Sequence, residues 1–539
     1  MRAILHALSF LSLCTSVFAA TAEQWRSRSI YQIITDRYAL SKGANRDACD
    51  PGDQTWCGGT WNTTRENLDY IQNAGFTAVW ISPVSQNYEG PRTSYGDAYH
   101  GYWIADVTEL NNRFGTSDDL KALSAELHRR GMYLMVDVVV NNVMGTSIMP
   151  DLSTYYFKEQ SQYHPYCPIQ WGNTTSEQDC WLGDKVVTLP DLNTQDPTVV
   201  SGYTAWIKAL VSEYEIDGLR IDGELSSSHV NMDFWPKFSS AAGVFCIGEV
   251  FDSDVAQAAQ WQGTDALDSI LNYPMYGALV DAFGIPGSLN TSALTDMVTQ
   301  SQKTFKDTGL LGNFLEDQDV PRWSNFSTDP QSKYNAMVFN FMSDGIPIVY
   351  YGQEQAFHGS GDPWNREPLW PSNYTNTTTY QLMSTLNKFR NFLINGTTGW
   401  LNSSMEILTT SPYGIGMMKG DVVSILTNIG SPPQNVSIAV YTPYKEETSL
   451  TDILSCEQYA VGSNGTVVVS YTEGGHATIL LPDRLMNGSD LCGYYPGRID
   501  WLGETVSTQA ASGAQFVSGS ASIFILSVLL GICTILVMS

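Results

Sequence analysis

The stretch TSDDLKALSAELHRRGMYLMVDVVVNN, residues 116–142 of a 539-residue chain, runs from a helix directly into a strand and decides the fold. Thr116-Ser117-Asp118-Asp119 opens a capping box, and Leu120, Leu123, Ala125 and Leu127 supply an apolar stripe. Arg129 and Arg130 sit at the negative end of the helix dipole, and Gly131 stops the helix. The strand at 132–140 lacks clean alternation, as expected of a parallel strand buried on both faces. Seven other apolar runs, at 30–38, 76–83, 216–222, 244–250, 269–273, 312–319 and 346–351, bring the strand candidates to eight. Eight strands with helical crossovers predict an α/β fold, a (β/α)8 TIM barrel over 21–398, whose site lies at the C-terminal strand ends. The segment 142–194 after the third strand is long enough to be an inserted subdomain. Beyond residue 399 the texture changes to short alternating runs such as 422–427, 436–441, 466–471 and 476–481. They predict a C-terminal antiparallel β-sandwich domain over 399–492 that braces the barrel.

Composition excludes several classes of function. With 28 Lys+Arg against 55 Asp+Glu the formal net charge is −27, so nucleic acid and anionic lipid surfaces would repel the chain. Residues 1–20 have the layout of a secretory signal peptide, an early Arg2 and an apolar run ending at Ala19-Ala20. At the other end an apolar run at 523–538 follows a polar spacer and the small trio Ser512-Gly513-Ala514. That is the pattern of a GPI-anchor signal over 513–539, with attachment at Ser512 and a tether at 493–512. The expected protein is therefore a monomer, exported and held to the membrane, with the cell wall as a further location, by the anchor alone. Eleven Asn-x-Ser/Thr sequons agree with export: Asn62, Asn173, Asn290, Asn325, Asn373, Asn376, Asn395, Asn402, Asn435, Asn464 and Asn487. Cys14 and Cys533 fall in the segments predicted to be removed, which leaves seven cysteines. Cys246, inside the apolar run Val244-Phe245-Cys246-Ile247, is the candidate free thiol. The other six pair most economically as Cys49–Cys57, Cys167–Cys180 and Cys456–Cys492, one of 15 possible connectivities.

Acidic residues fall at the ends of three strand candidates: Asp222 in Gly218-Leu219-Arg220-Ile221-Asp222, Glu249 in Gly248-Glu249-Val250, and Asp319 in Phe314-Leu315-Glu316-Asp317-Gln318-Asp319. A lone Asp is more often a helix cap or a solvated loop acid. Three carboxylates on one barrel mouth suit glycoside chemistry, where one attacks the anomeric carbon while a protonated partner donates to the leaving oxygen. Arg220, two residues before Asp222 on one strand face, would keep Asp222 ionised as a nucleophile requires.

These residues carry a resemblance to the α-amylase clan of glycoside hydrolases, and closely to the secreted fungal α-amylases, over nearly everything up to Cys492. The matching motifs are Tyr95-Gly96-Asp97-Ala98-Tyr99-His100-Gly101-Tyr102-Trp103, Asp137-Val138-Val139-Val140-Asn141, Gly218 to Asp222, Gly248-Glu249-Val250, Phe314 to Arg322, and Asp362-Pro363-Trp364-Asn365-Arg366. The resemblance implies that Asp222 is the nucleophile, Glu249 the general acid/base and Asp319 the carboxylate that stabilises the transition state, with Arg220 orienting Asp222. It implies a substrate site in which Tyr102 is the aromatic platform, with His100 nearby and Asp362 and Arg366 at the far edge; Trp103 either shares this role or packs in the core. It also implies a structural calcium held by Asn141 and Asp191, with backbone carbonyls nearest Gln178 and Ser226.

The active-site motifs also depart from the family pattern. Asn142 and Gln318 stand where the family has sugar-binding histidines, and Leu225-Ser226 stands where it has Lys-His. Asn142 and Gln318 can still donate to hydroxyls, so sugar binding is altered rather than erased. Lost histidines together with an anchor signal resemble a subgroup of anchored fungal 4-α-glucanotransferases linked to wall α-glucan. The first expectation is accordingly a 4-α-glucanotransferase that cleaves and re-forms α-1,4 links between maltooligosaccharide or α-glucan donors and acceptors. An endo-acting α-amylase is the alternative, and a non-catalytic wall α-glucan-binding protein a third reading.

Overall fold

The computed structural model describes residues 20–44, 49–223, 229–396 and 399–494. Residues 1–19 of the expected signal peptide, the expected anchor signal with Ser512, and Leu225-Ser226 lie outside these residues. Helix α1 (Ser117–Arg129) has the capping box that the sequence predicts: Thr116 accepts from the Asp119 backbone N–H and Asp119 answers to Thr116 N–H at 2.9 Å. Its buried face is Leu120, Leu123, Ser124 and Leu127 rather than one containing Ala125. A period of 3.6 residues places 124 inside and 125 outside, and the Ser124 hydroxyl is satisfied by the Glu215 carbonyl at 3.3 Å. Gly131, at φ +73°, ends the turn and returns the chain to the barrel.

The eight predicted strands all form: β1 (Ile30–Gln32), β2 (Ala78–Ile81), β3 (Tyr133–Val139), β4 (Gly218–Asp222), β5 (Phe245–Gly248), β6 (Ser269–Ile270), β7 (Gly312–Asn313) and β8 (Ile346–Tyr350). They pair in parallel in the order β6-β5-β4-β3-β2-β1-β8-β7. A bridge from Leu271 to Gly312, with Asn272 N–H on the Gly312 carbonyl at 2.8 Å, closes the barrel between β6 and β7. A Cβ at Gly312 would lie 2.6 Å from Ile247 and 2.8 Å from Ile348, so closure here needs a residue without a side chain. Two strands are shorter than the apolar runs suggest. After β6 the chain turns at Asn272, whose side chain caps a helix beginning at Tyr273; after β7, residues 314–319 leave the ladder as a loop.

Alternation along each strand sorts the barrel core. Ile30, Trp80, Met135, Ile247 and Ile348 fill the interior, while Tyr31, Val79, Val136, Leu219 and Cys246 pack against the helices outside. The inserted subdomain contains a short ribbon, Leu182–Gly183 with Thr188–Leu189, and the Cys167–Cys180 bridge. The Cys49–Cys57 and Cys456–Cys492 bridges are also present, and Cys246 is the free, buried thiol. The C-terminal domain comprises β9 (Glu406–Ser411), β10 (Gly414–Lys419), β11 (Val422–Thr427), β12 (Ser437–Tyr441), β13 (Ser449–Asp452), β14 (Gln458–Ala460), β15 (Thr466–Ser470) and β16 (Thr478–Pro482). A six-stranded antiparallel sheet in the order β9-β10-β11-β16-β13-β14 packs on the β12–β15 ribbon through Val423, Ile425, Val440, Val467 and Leu480. Asn335, buried in a barrel helix, ties the two domains: its amide donates to the Gly475 carbonyl and its oxygen accepts from Thr427 N–H, both at 2.8 Å. No helix among the described residues is long and apolar enough to cross a membrane.

Candidate active site

At the C-terminal end of the barrel the interior face changes from apolar to charged. In β3 the inward position after Met135 is Asp137, and its register partner on β4 is Arg220, followed inward by Asp222. All three are buried. The Arg220 guanidinium is a fork with three acceptors: Nη1 reaches Asp137 at 3.0 Å and Asp222 Oδ1 at 2.7 Å, and Nη2 reaches Glu249 Oε2 at 2.8 Å. Glu249, one residue beyond β5, also accepts from Gly223 N–H at 3.3 Å. Asp319 lies on the loop after β7 and pairs with Arg366 at 3.2 Å, while the other arm of Arg366 pairs with Asp362 at 3.0 Å.

One cation against three buried carboxylates leaves a surplus of negative charge. Burial, with Asp137 and Asp319 adding to it, pushes Asp222 up to about 7 against the pull of Arg220. Burial likewise raises Glu249 to about 7 and Asp137 to about 6. Arg220 contacts Asp222 and favours its charged form, as the sequence suggests, but its charge is divided three ways, and the cluster shares its protons near neutrality.

Above this cluster is a cavity of about 600 Å³, lined by Tyr102, Glu249, Asp319 and Arg366 among others. Its wall includes most of the predicted substrate residues, His100, Tyr102, Trp103, Gln318, Asp362 and Arg366, together with Asp319. The Tyr102 hydroxyl donates to Asp137 Oδ2 and accepts from Gln318 Nε2, both at 2.6 Å. His100 Nδ1 accepts from Tyr102 N–H at 3.0 Å, and burial lowers this imidazole well below its usual value, so it is neutral with its proton on Nε2. Trp103 shows one face to the cavity but is 9% exposed and packs with Ala98, Met144 and Leu189, so most of it is core.

Asn142 is not brought into the cavity wall. Its backbone bridges to Asp191 and its side-chain oxygen accepts from Asn141 at 3.4 Å, which draws it toward the inserted subdomain. Beside it are two buried oxygens without a hydrogen-bond donor, Oδ1 of Asn141 and Oδ1 of Asp191. Such a pair suits a hard cation with oxygen ligands. The other Asp191 oxygen is 2.6 Å from His164 Nδ1, and His164 Nε2 is 3.5 Å from Asp179. Gln178 is half-buried in the short helix Thr174–Asp179 next to Asp179; Ser226 lies outside the described residues. Among the described residues no group of three or more His, Cys, Asp or Glu side chains could hold a metal.

Sequence reasoning missed several contributors. Asp137 carried a signal: a charge in the middle of an otherwise apolar buried strand needs a partner, and Arg220 is one strand away. Tyr273 and Asp317, which contact Glu249 directly or through one bond, carried none. Phe251 and Trp171, 42% and 59% exposed, also line the cavity.

The model of the alpha amylase catalytic domain matches residues 32–380, and that of alpha-amylase domain C matches 407–499. The chain belongs to the alpha-amylase family. Alpha-amylase 2 of Schwanniomyces occidentalis is 42% identical over 88% of this chain and 94% of its own length. Alpha-amylase mde5 of Schizosaccharomyces pombe is 40% identical over 90% of this chain and 93% of its own. The structure of an alpha-amylase from Malbranchea cinnamomea superposes with a TM-score of 0.84 at 39% identity, covering 88% of this chain and all of that one. The chain is thus an alpha-amylase-family glycosidase with the barrel and C-terminal sheet domain of that family.

Proposed function

We propose that this chain is a retaining α-1,4-glucan-cleaving enzyme of alpha-amylase type, with water as its main acceptor. The observation that carries this reading is the Arg220 fork holding Asp222 and Glu249 at the floor of a sugar-sized cavity that Asp319 also enters. Asp222 attacks the anomeric carbon while Glu249 protonates the leaving oxygen. Asp319, held by Arg366, stabilises the developing positive charge. Glu249 then takes a proton from the incoming acceptor as the glycosyl–Asp222 bond breaks. The Tyr102 ring, fixed by Asp137 and Gln318, supports the sugar. The names of the relatives favour hydrolysis, which reverses the order expected from the sequence, where transfer came first.

Transfer remains a second reading because exposed Phe251 and Trp171 share the cavity with Glu249. Aromatic rings exposed in the cavity offer a second sugar a surface to pack on and exclude water from it. A calcium ion fits Asn141 and Asp191, where it would contribute to stability by joining the barrel to the subdomain, with no step of the chemistry passing through it. The three disulfides and the exposed asparagines of ten sequons, all but the half-buried Asn62, support export and glycosylation.

Glu249→Gln should lower turnover by roughly 10²–10⁴-fold while sparing maltooligosaccharide binding, and unchanged turnover would remove the acid/base assignment. Incubation of the native enzyme with one pure maltooligosaccharide should give shorter products, with reducing ends rising in step. Products longer than the substrate with few new reducing ends would establish transfer instead.

A further inference from the structure

The role given to Asp319 requires its carboxylate to stand at a fixed height in the cavity, yet a loop carries it rather than a strand. β7 ends at Asn313, and of residues 317–320 only Asp319 is exposed, with Asp317, Gln318 and Val320 buried. Its ion pair with Arg366, at 3.2 Å, is one contact to an exposed carboxylate, and Arg366 also serves Asp362. A contact of that kind restrains the side chain and leaves the backbone beneath it unfixed. Two buried side chains on either side of the turn fix the backbone.

On one side Asp317 Oδ1 accepts from the N–H groups of Asp319 at 2.7 Å and Val320 at 3.0 Å. On the other, Asn365 Nδ2 donates to the carbonyls of Gln318 and Val320, both at 2.9 Å, and of Asp317 at 3.3 Å. Carbonyl oxygens only accept, so the group that faces them is the NH2. Its two hydrogens serve the two shorter bonds, and the third carbonyl shares one of them. Three carbonyl dipoles gathered about one buried point repel each other, so the turn needs a donor at that point. Asn365 is 0% exposed, and its own Oδ1 is buried without a hydrogen-bond partner. An amide with an unpaired oxygen is costly to bury; its stabilising side is the NH2, and that is spent wholly on this turn.

The residues around Asn365 are locked to the same loop. Its N–H bonds the Gly361 carbonyl at 3.0 Å, and Arg366 Nε adds a 3.3 Å bond to the Gln318 carbonyl. Glu367 accepts from Gly359 N–H at 2.8 Å and from Arg322 Nε at 3.1 Å, two residues beyond the turn. We propose that Asn365 is a positioning residue for the transition-state carboxylate: by gathering the carbonyls of Asp317, Gln318 and Val320 it sets the height at which Asp319 enters the cavity. The inference rests on the catalytic reading above. No bond is made or broken at Asn365, and it is not part of the cavity wall. The sugar contacts expected of His100 and Asp362 lie outside the turn, whereas Asp319 acts as positive charge develops at the anomeric carbon. Loss of the turn therefore falls on kcat and spares KM.

Two substitutions test this. Asn365→Asp keeps the shape but sets a carboxyl oxygen against the carbonyls, and Asn365→Ala removes the donor altogether. With α-maltotriosyl fluoride, each should lower kcat by about 10²-fold, with KM within about twofold of native. The fluoride departs without acid help, which keeps a slow Asp319→Asn enzyme measurable. In that background no carboxylate is left to position, and N365A should cost less than about threefold. A loss carried by KM, or an equal fall in kcat without the Asp319 carboxylate, would show that Asn365 holds only its own loop and overturns the inference. Native kcat in the folded variants overturns it too. If neither variant folds, Asn365 serves the fold rather than Asp319, and the inference fails. A D319N enzyme with native turnover sinks the catalytic reading itself, whereas a slow D319N beside unimpaired Asn365 variants sinks only this inference.

Discussion

Arg220 shows why charge alone does not describe this site. Its Nη1 serves Asp137 and Asp222 and its Nη2 serves Glu249, a planar division that no single ammonium can reproduce. Arg220→Lys keeps the positive charge but leaves at least one of three buried carboxylates without its bond. The expected result is a fall of about 10²-fold in kcat/KM together with a loss of about 1–3 kcal/mol in stability from the orphaned acceptor. Steady-state kinetics and urea unfolding of the same preparation check both. An R220K enzyme with native activity would show that the fork is dispensable and that simple neutralisation suffices.

At the level of elements, the junction of β3 with the inserted subdomain depends on Asn141 and Asp191 presenting two unpartnered oxygens. Exhaustive chelation should lower the melting temperature, and calcium at about 100 times its dissociation constant should restore about 2.7 kcal/mol. In Asp191→Asn the calcium-dependent rise should be lost, and a rise of unchanged size would place the ion elsewhere. The legibility of the sequence also divides by element. The barrel strands were readable because parallel strands buried on both faces leave continuous apolar runs, and α1 because its cap and stop are local signals. The ends of β6 and β7 were not. The apolar texture of Leu271, Tyr273, Phe314 and Leu315 continues past the last ladder bond into a helix start and a loop, and composition does not record where pairing stops. The three acids were readable at the strand ends, while the Asp317–Tyr273–Glu249 contact joins residues 24 to 44 positions apart and is created only by closure of the barrel. Asn142 was legible only as a motif position: its backbone bridge to Asp191, which ties it to the inserted subdomain, leaves no local signal.

Across the whole molecule, buried carboxyls set the pH dependence of folding. Burial raises Asp36 and Asp137 to about 6, and Asp222, Glu249, Glu316 and Asp317 to about 7, against unfolded values of about 3.9–4.3. Below about pH 4 both states hold these protons and the folded chain has their full contribution. Between pH 4 and 7 the unfolded chain releases protons that the folded chain retains, so stability falls as pH rises through the folded values. His128 and His164, raised by Asp217 and Asp191 against the opposing effect of burial, lose their contribution in the same direction. A formal net charge of −27 at neutral pH adds self-repulsion of the same sign. Carboxylates held low by surface partners, such as Glu126 at about 2 between Arg129 and Arg130, titrate below this window and do not oppose the trend. Melting measured in chelator, so that calcium affinity does not add its own pH dependence, should therefore give a higher temperature at pH 5 than at pH 8, by several degrees. The difference should shrink in an Asp137→Asn, Glu249→Gln double variant, which removes two of the buried acids that must ionise. A melting temperature that is flat or rises from pH 5 to pH 8 would mean that the cluster is already ionised in the folded chain, with its charges compensated by the solvent that fills the cavity.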